Sequence, residues 1–179
     1  MGALGLLYGE QIQKTQGKDR LSFVMDSARY QRHKAETYTT NGVPQDFALV
    51  DAAAATPVDL VIVATKASGL ASALDVMAGL VAEHTIILSV MNGISSEQIL
   101  AERFGDRNLV HCVAIGMDAM RDGPSLSYAN QGKLQIGILK DEQKPALADL
   151  CQFLDQAGLA YSVEADILHA LWGKFLLNV

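Results

Sequence analysis

The sequence predicts an α/β protein with a doubly wound, largely parallel sheet. Buried-strand patterns alternate with helical ones, and the strongest strand signal, Val58 to Thr65, is an almost unbroken apolar run of the kind covered on both faces. Polar residues stand directly after two of these strands, at Lys66 and at the Asn92-Gly93 pair, where ligands sit in sheets of this kind.

Leu4, Leu7, Tyr8 and Ile12 recur at helical spacing over residues 3 to 16, and Gly17-Lys18-Asp19 breaks the pattern. Leu21 to Met25 reads as a short buried strand ending at Asp26, and a charged segment follows as far as Glu36. Thr37 to Thr40 with the Asn41-Gly42 turn predicts a small hairpin, and Ala52 to Ala55 a loose helical start before Pro57. Beyond the strand at 58–65, a helix is expected over 70–84, a strand over 85–90, a helix over 95–104 and a strand over 110–115. Ser125–Tyr128 and Lys133–Leu139 are expected to pair with each other, Asp141–Ala157 to form an amphipathic helix, and Tyr161–Val163 a last strand. The final helix starts near Ala165 and meets no capping glycine or stop signal before Val179, so the fold is expected to continue beyond it.

That helix holds the most informative stretch, Trp172-Gly173-Lys174-Phe175-Leu176-Leu177-Asn178. Lys174 and Asn178 stand one turn apart and so share a face, presenting an ammonium and an amide side by side. Burying them beside Trp172, Phe175, Leu176 and Leu177 is costly without a partner, and an oxygen-rich ligand would supply one. The plain alternative is a surface helix with both side chains in water.

At the other end, Gly2-Ala3-Leu4-Gly5 matches the second half of the Gly-x-Gly-x-x-Gly turn that brings backbone close to a dinucleotide pyrophosphate. Asp26 follows about 20 residues later, where an acidic residue meets the ribose. The first glycine and the strand before it are not in the sequence, which leads to an expectation of exposed apolar sheet edges and weakened cofactor binding.

Composition narrows the function classes. The chain of 179 residues is half apolar and carries 14 basic against 20 acidic residues, a formal charge of -6. That balance argues against nucleic acid and against an anionic membrane surface, and favours small-molecule chemistry. No apolar run approaches the roughly 20 residues of a membrane span, and the N-terminus has neither a signal-peptide pattern nor a myristoylation motif. Cys112 and Cys151 stand singly in apolar segments and read as buried reduced thiols, which implies the cytoplasm. No metal is expected, because His111 and the Glu164, Asp166, His169 group form no ligand set; Ser95-Ser96-Glu97-Gln98 reads as a helix start.

Taken in order, Gly2-Ala3-Leu4-Gly5-Leu6-Leu7-Tyr8-Gly9, Ala64-Thr65-Lys66-Ala67, Met91-Asn92-Gly93-Ile94 and the Trp172 to Asn178 stretch resemble the ketopantoate reductase (2-dehydropantoate 2-reductase) family. The resemblance implies a Rossmann-type NAD(P)-binding domain over residues 1–164, its first strand missing. Residues 165–179 would then open a C-terminal all-helical substrate domain whose remainder is absent. It implies reduction of 2-dehydropantoate to (R)-pantoate by NADPH, on the way to pantothenate and coenzyme A. Lys174 would be the general acid, Asn178 would bind the substrate's hydroxyl or carboxylate end, and Lys66 would sit at the cleft shared by cofactor and substrate. Gly2, Ala3, Leu4 and Gly5 would line the pyrophosphate, and Asn92 would lie near the nicotinamide ribose and the lysine.

The sequence departs from the family at the cofactor's 2′-phosphate. Met25-Asp26 stands where many members carry an arginine, and an acidic residue favours NADH, although Arg29 or Arg32 is placed to reach a phosphate. NADP(H) is therefore expected on family grounds and NAD(H) remains open because of Asp26. Two alternatives stand beside the reductase: another Rossmann 2-oxo or 3-hydroxyacid dehydrogenase, and a non-catalytic cofactor-binding module. The expected partner is a small 2-oxo acid, with a homodimer left open. Residues 1–179 by themselves are expected to turn over poorly.

Overall fold

The computed structural model describes residues 1–178, and of Asn178 the backbone only. Helix α1 (Ala3–Gln16) buries Leu6, Leu7 and Ile12, and Gly9 lets it close on the next strand, since a Cβ there would stand 2.6 Å from the Phe23 ring. Strand β1 (Ser22–Met25) leads to Asp26, whose Oδ1 accepts from Arg29 N over 2.8 Å and so caps α2 (Ser27–His33). The hairpin expected around Asn41-Gly42 forms as β2 (Tyr38–Thr40) and β3 (Val43–Gln45), and both turn residues have positive φ.

Strand β4 (Ala48–Asp51), which the sequence reading passed over, pairs parallel with β1. Alternation is hard to see in Ala48-Leu49-Val50-Asp51, a four-residue strand with no fully buried position. A 3-10 turn at Ala52–Ala54 precedes β5 (Leu60–Val63), which is shorter than the apolar run around it.

Helix α3 (Leu70–Met77) ends seven residues before the expected bound at His84. The cause is Thr85: its buried hydroxyl accepts from Ala82 N over 2.9 Å and donates to Val58 O over 2.6 Å, which holds residues 78–84 in turns. Strand β6 (Ile86–Ser89), helix α4 (Ser96–Phe104) and strand β7 (Leu109–Met117) follow.

A further correction concerns the expected pairing of Ser125–Tyr128 with Lys133–Leu139. Strands β8 (Met120–Asp122) and β9 (Ser125–Ser127) pair with each other, and β9 also pairs with β2, while β10 (Gln131–Gly137) pairs with β7. Asp118 is the reason. Its Oδ1 accepts from Ala129 N and Asn130 N, each over 2.8 Å, so residues 119–128 are pinched out as a finger and β7 turns straight into β10. Helix α5 (Lys144–Ala157), strand β11 (Tyr161–Val163) and helix α6 (Ile167–Asn178) complete the described chain.

The main sheet has the order β11-β10-β7-β6-β5, parallel except between β7 and β10. Strands β1 and β4 form a separate parallel pair, and β3-β2-β9-β8 a small sheet. Leu88, Val110, Cys112, Leu134 and Ile136 pack with α1 and α5 on one face, whereas Val61, Val63, Ile87 and Leu109 pack with α3 and α4 on the other. The architecture is thus a Rossmann-type α/β fold with helices on both faces. Helices α1 and α5 are also clamped end to end, with Gln11 Nε2 donating to Ala157 O over 3.0 Å and Gln16 Nε2 to Gln156 O over 2.7 Å.

Helix α6 lies on β7 and β10 through Ile167 and Leu171, which bury with Val113. Its apolar residues Trp172, Leu176 and Leu177 are exposed, so they do not surround Lys174 in the way the sequence suggested. Among the described residues no helix is long and apolar enough to cross a membrane.

Candidate active site

The parallel neighbours β5 and β6 deliver Lys66 and Asn92 at their carboxyl ends, and β1, paired with β4, delivers Asp26 at its own. Gly2 comes up to the same end of β5: a Cβ on it would stand 2.8 Å from Ala64 O, and one on Gly5 would touch Phe23 and Ala64. Gly2 thus lets α1 press its N-terminus onto the strand end, while a Cβ on Gly5 would make only ordinary van der Waals contact. No side chain caps that terminus, so the first-turn N–H groups starting at Ala3 are open to an anion, with Leu4 packing against the core behind them. The set fits a dinucleotide pyrophosphate.

Across the cleft, α6 brings Lys174 to Asn92. Lys174 Nζ donates to Asn92 Oδ1 over 2.7 Å and also to the carbonyl of Ala114 on β7. A small recess there is lined by Met91, Asn92, Gly93, Cys112, Lys174 and Phe175. Partial burial lowers the pKa of Lys174 from the ordinary lysine value, with the Cys112 sulfur acting in the opposite direction.

The remaining candidates are placed differently. Lys66 is exposed, its carbonyl accepts from Gly69 N over 2.8 Å, and no described hydrogen bond joins its side chain to Lys174 or Asn92. Arg29 turns back on Asp26, Nε to Oδ2 at 3.4 Å, so the two charges meet each other at the end of β1. The side chain of Asn178 lies outside the described residues. Among the described residues no group of three His, Cys, Asp or Glu could hold a metal; Glu164 is engaged by Ser162 and Gln135, and Asp166 caps α6. Both cysteines are free, Cys112 buried as expected and Cys151 only partly so.

Three buried polar residues behind the site escaped the sequence reading. The Ser95 to Gln98 segment does start a helix, but Ser95 makes no cap bond, while Ser96 and Glu97 turn inward and are 4% and 2% exposed. Ser89, at the end of β6, meets them there. The signal was available in the helical spacing of Ile94, Glu97, Leu100 and Phe104, which sets Glu97 among core positions.

The family model of ketopantoate reductase PanE/ApbA matches residues 1–141. The chain belongs to the ketopantoate reductase family. A 2-dehydropantoate 2-reductase of Streptococcus pyogenes serotype M1 is 22% identical over 99% of this chain and 59% of its own length. One of Halobacterium salinarum is 28% identical over 78% of this chain and 46% of its own length. Among solved structures, D-mandelate dehydrogenase with NADH and anilino(oxo)acetate superposes with a TM-score of 0.84 at 23% identity, over 97% of this chain and 57% of that one. The 2-dehydropantoate 2-reductase of Geobacter metallireducens gives 0.82 at 24% identity, over 99% and 60%. A dimeric ketopantoate reductase from Staphylococcus aureus gives 0.75 at 22% identity, over 99% and 62%. This member of the family therefore spans less than two thirds of the length of these relatives.

Proposed function

We propose that this protein reduces a small 2-oxo acid with a nicotinamide cofactor, 2-dehydropantoate to (R)-pantoate being the leading case, as a cytoplasmic step toward pantothenate and coenzyme A. The observation that carries the reading is the half-buried Lys174 ammonium held on Asn92 at the carboxyl end of the sheet. Bound NADPH would supply the hydride. Lys174 Nζ holds a proton at the recess and gives it to the carbonyl oxygen as negative charge develops there, and the lowering of its pKa by partial burial favours that transfer. Asn92 fixes the direction of the ammonium.

The open N–H groups at the start of α1, with Gly2 beside them, suit the pyrophosphate, and Lys66 and Arg29, which follow β5 and β1, would serve phosphate oxygens. Asn178, one turn beyond Lys174, would take the hydroxyl or carboxylate end of the substrate. In this reading residues 1–164 are the cofactor domain and residues 165–179 open a helical substrate domain. A second copy of the chain is a candidate partner, since the Staphylococcus aureus neighbour is a dimer.

A second reading, an NADH-linked dehydrogenase of another 2-hydroxy acid, is favoured by Asp26 at the ribose end of β1 and by the likeness to D-mandelate dehydrogenase with NADH. Assaying the complete gene product against ketopantoate and a panel of aliphatic and aromatic 2-oxo acids, with each cofactor, separates the two. Preferential reduction of ketopantoate with NADPH is expected. Preference for an aromatic oxo acid with NADH would establish the second reading, and no turnover of any oxo acid would overturn both.

A further inference from the structure

Behind the loop that carries Asn92 runs a buried hydrogen-bond chain to which the proposed reaction assigns no part. Ser96 Oγ donates to Glu97 Oε2 over 2.7 Å, the hydroxyls of Ser89 and Ser96 are 3.0 Å apart, and Met91 N donates to Ser89 Oγ over 3.4 Å. Because the Ser96 proton is committed to the carboxylate, Ser89 must donate to Ser96 and keeps its lone pairs for the Met91 N–H. The chain therefore has one direction, from the backbone beside Asn92 down to Glu97. Hydrogen bonds polarised in series in a dry interior strengthen one another.

Two features separate this arrangement from ordinary core packing. Glu97 is 2% exposed, and burial raises its pKa although the Ser96 hydroxyl and the backbone at Glu97 and Cys112 act on the carboxylate in the opposite direction, so it is a costly group to retain for stability alone. The loop it underlies is otherwise loosely held. Val90 N still donates to Val63 O over 3.0 Å, but among the described residues no backbone hydrogen bond tethers Met91 to Ile94, and Gly93 sits at φ 112 with open space around it. Electrostatics links the two ends of the arrangement. The buried Cys112 thiol is pushed up by burial and by the Glu97 carboxylate and drawn down by Lys174, so both charges lie within reach of one sulfur. Cys112 is also the described titratable group that acts on Lys174.

We propose that Glu97, through Ser96 and Ser89, is a positioning residue for Lys174: the chain fixes Met91 and thereby sets Asn92 Oδ1 where it receives the lysine ammonium. The proposal rests on the reading of Lys174 as proton donor. Its test is the titration of Lys174, followed by NMR of its side chain in the complete gene product, in parallel with steady-state kinetics. Glu97→Ala and Ser89→Ala are expected to move the Lys174 midpoint by about half a pH unit or more. They should lower kcat about tenfold while cofactor affinity stays within about twofold. Glu97→Gln keeps an acceptor for Ser96 and is expected to stay near wild type. Should Glu97→Ala not fold, Ser89→Ala, which removes a single oxygen, carries the test. An unchanged Lys174 midpoint and kcat in these variants, even with a lowered Tm, would overturn the proposal. A shifted midpoint in a protein that reduces no 2-oxo acid would support the positioning chain and overturn the reductase reading instead.

Discussion

Lys174 Nζ donates to Asn92 Oδ1 over 2.7 Å although the two residues are 82 positions apart in sequence. The bond joins helix α6 to the loop after β6, and the candidate site rests on that pairing.

Lys174→Ala is expected to lower kcat about 100-fold or more, since a positioned general acid contributes on that order. Affinity for the nicotinamide cofactor should change little, because the cradle at Gly2 and Gly5 is untouched. Steady-state kinetics with a parallel cofactor titration checks this, and equal losses in both would remove Lys174 from the proton-donor role.

Asp26 has two roles that one substitution can separate. Its carboxylate caps α2, and in the proposed reading it also places negative charge where a 2′-phosphate would lie. Asp26→Ser keeps a capping oxygen and removes the charge, freeing Arg29 at the same time. The ratio of kcat/KM for NADPH over NADH should rise about tenfold or more, with Tm nearly unchanged.

Gln143 tests the stability of the sheet's far end. Buried to 1%, its amide donates to Asp106 O and Leu109 O, each over 2.8 Å, and its carbonyl oxygen accepts from Leu139 N over 2.8 Å and Lys140 N over 2.9 Å. Gln143→Leu leaves four backbone groups without that partner, and a loss of about 3 kcal/mol or more is expected in urea unfolding.

Stability should also fall on mild acidification. Burial lowers the pKa of His111, and its Nδ1 has no partner. A depressed folded-state pKa gives a contribution that is complete above the ordinary value of 6.5 and is lost as pH falls from there through the folded value. Unfolding followed at a series of pH values should show this slope, and His111→Leu should flatten it.

The sheet was legible in the sequence because its strands are apolar runs covered on both faces, as at Leu60–Val63 and Ile86–Ser89. Asn92 and Lys174 were legible because each is a polar residue at a marked place, one after a strand and one in an apolar helix. What stayed hidden depends on side chains reaching across the fold. Thr85 shortened α3 and Asp118 rerouted β9 and β10, and neither hydroxyl nor carboxylate betrays its partner by spacing. Ser89, Ser96 and Glu97 were hidden for a related cause: a serine and a glutamate at a helix start read as a cap, and only their inward rotation reveals the buried chain.

The clamp of α1 onto α5 bears on synthesis. Gln11, Thr15 and Gln16 find their partners at Gln156 and Ala157, 140 to 146 positions downstream. At the pace of translation the first helix must wait roughly ten to thirty seconds for them. During that interval Leu6, Leu7 and Ile12 have only part of their final cover, since Tyr38, Phe47 and Leu88 are made before Ala146, Leu150 and Leu154 of α5. Helix α1 is therefore seated in full only once α5 has been made, which leaves its α5-facing side as a surface prone to aggregation during expression.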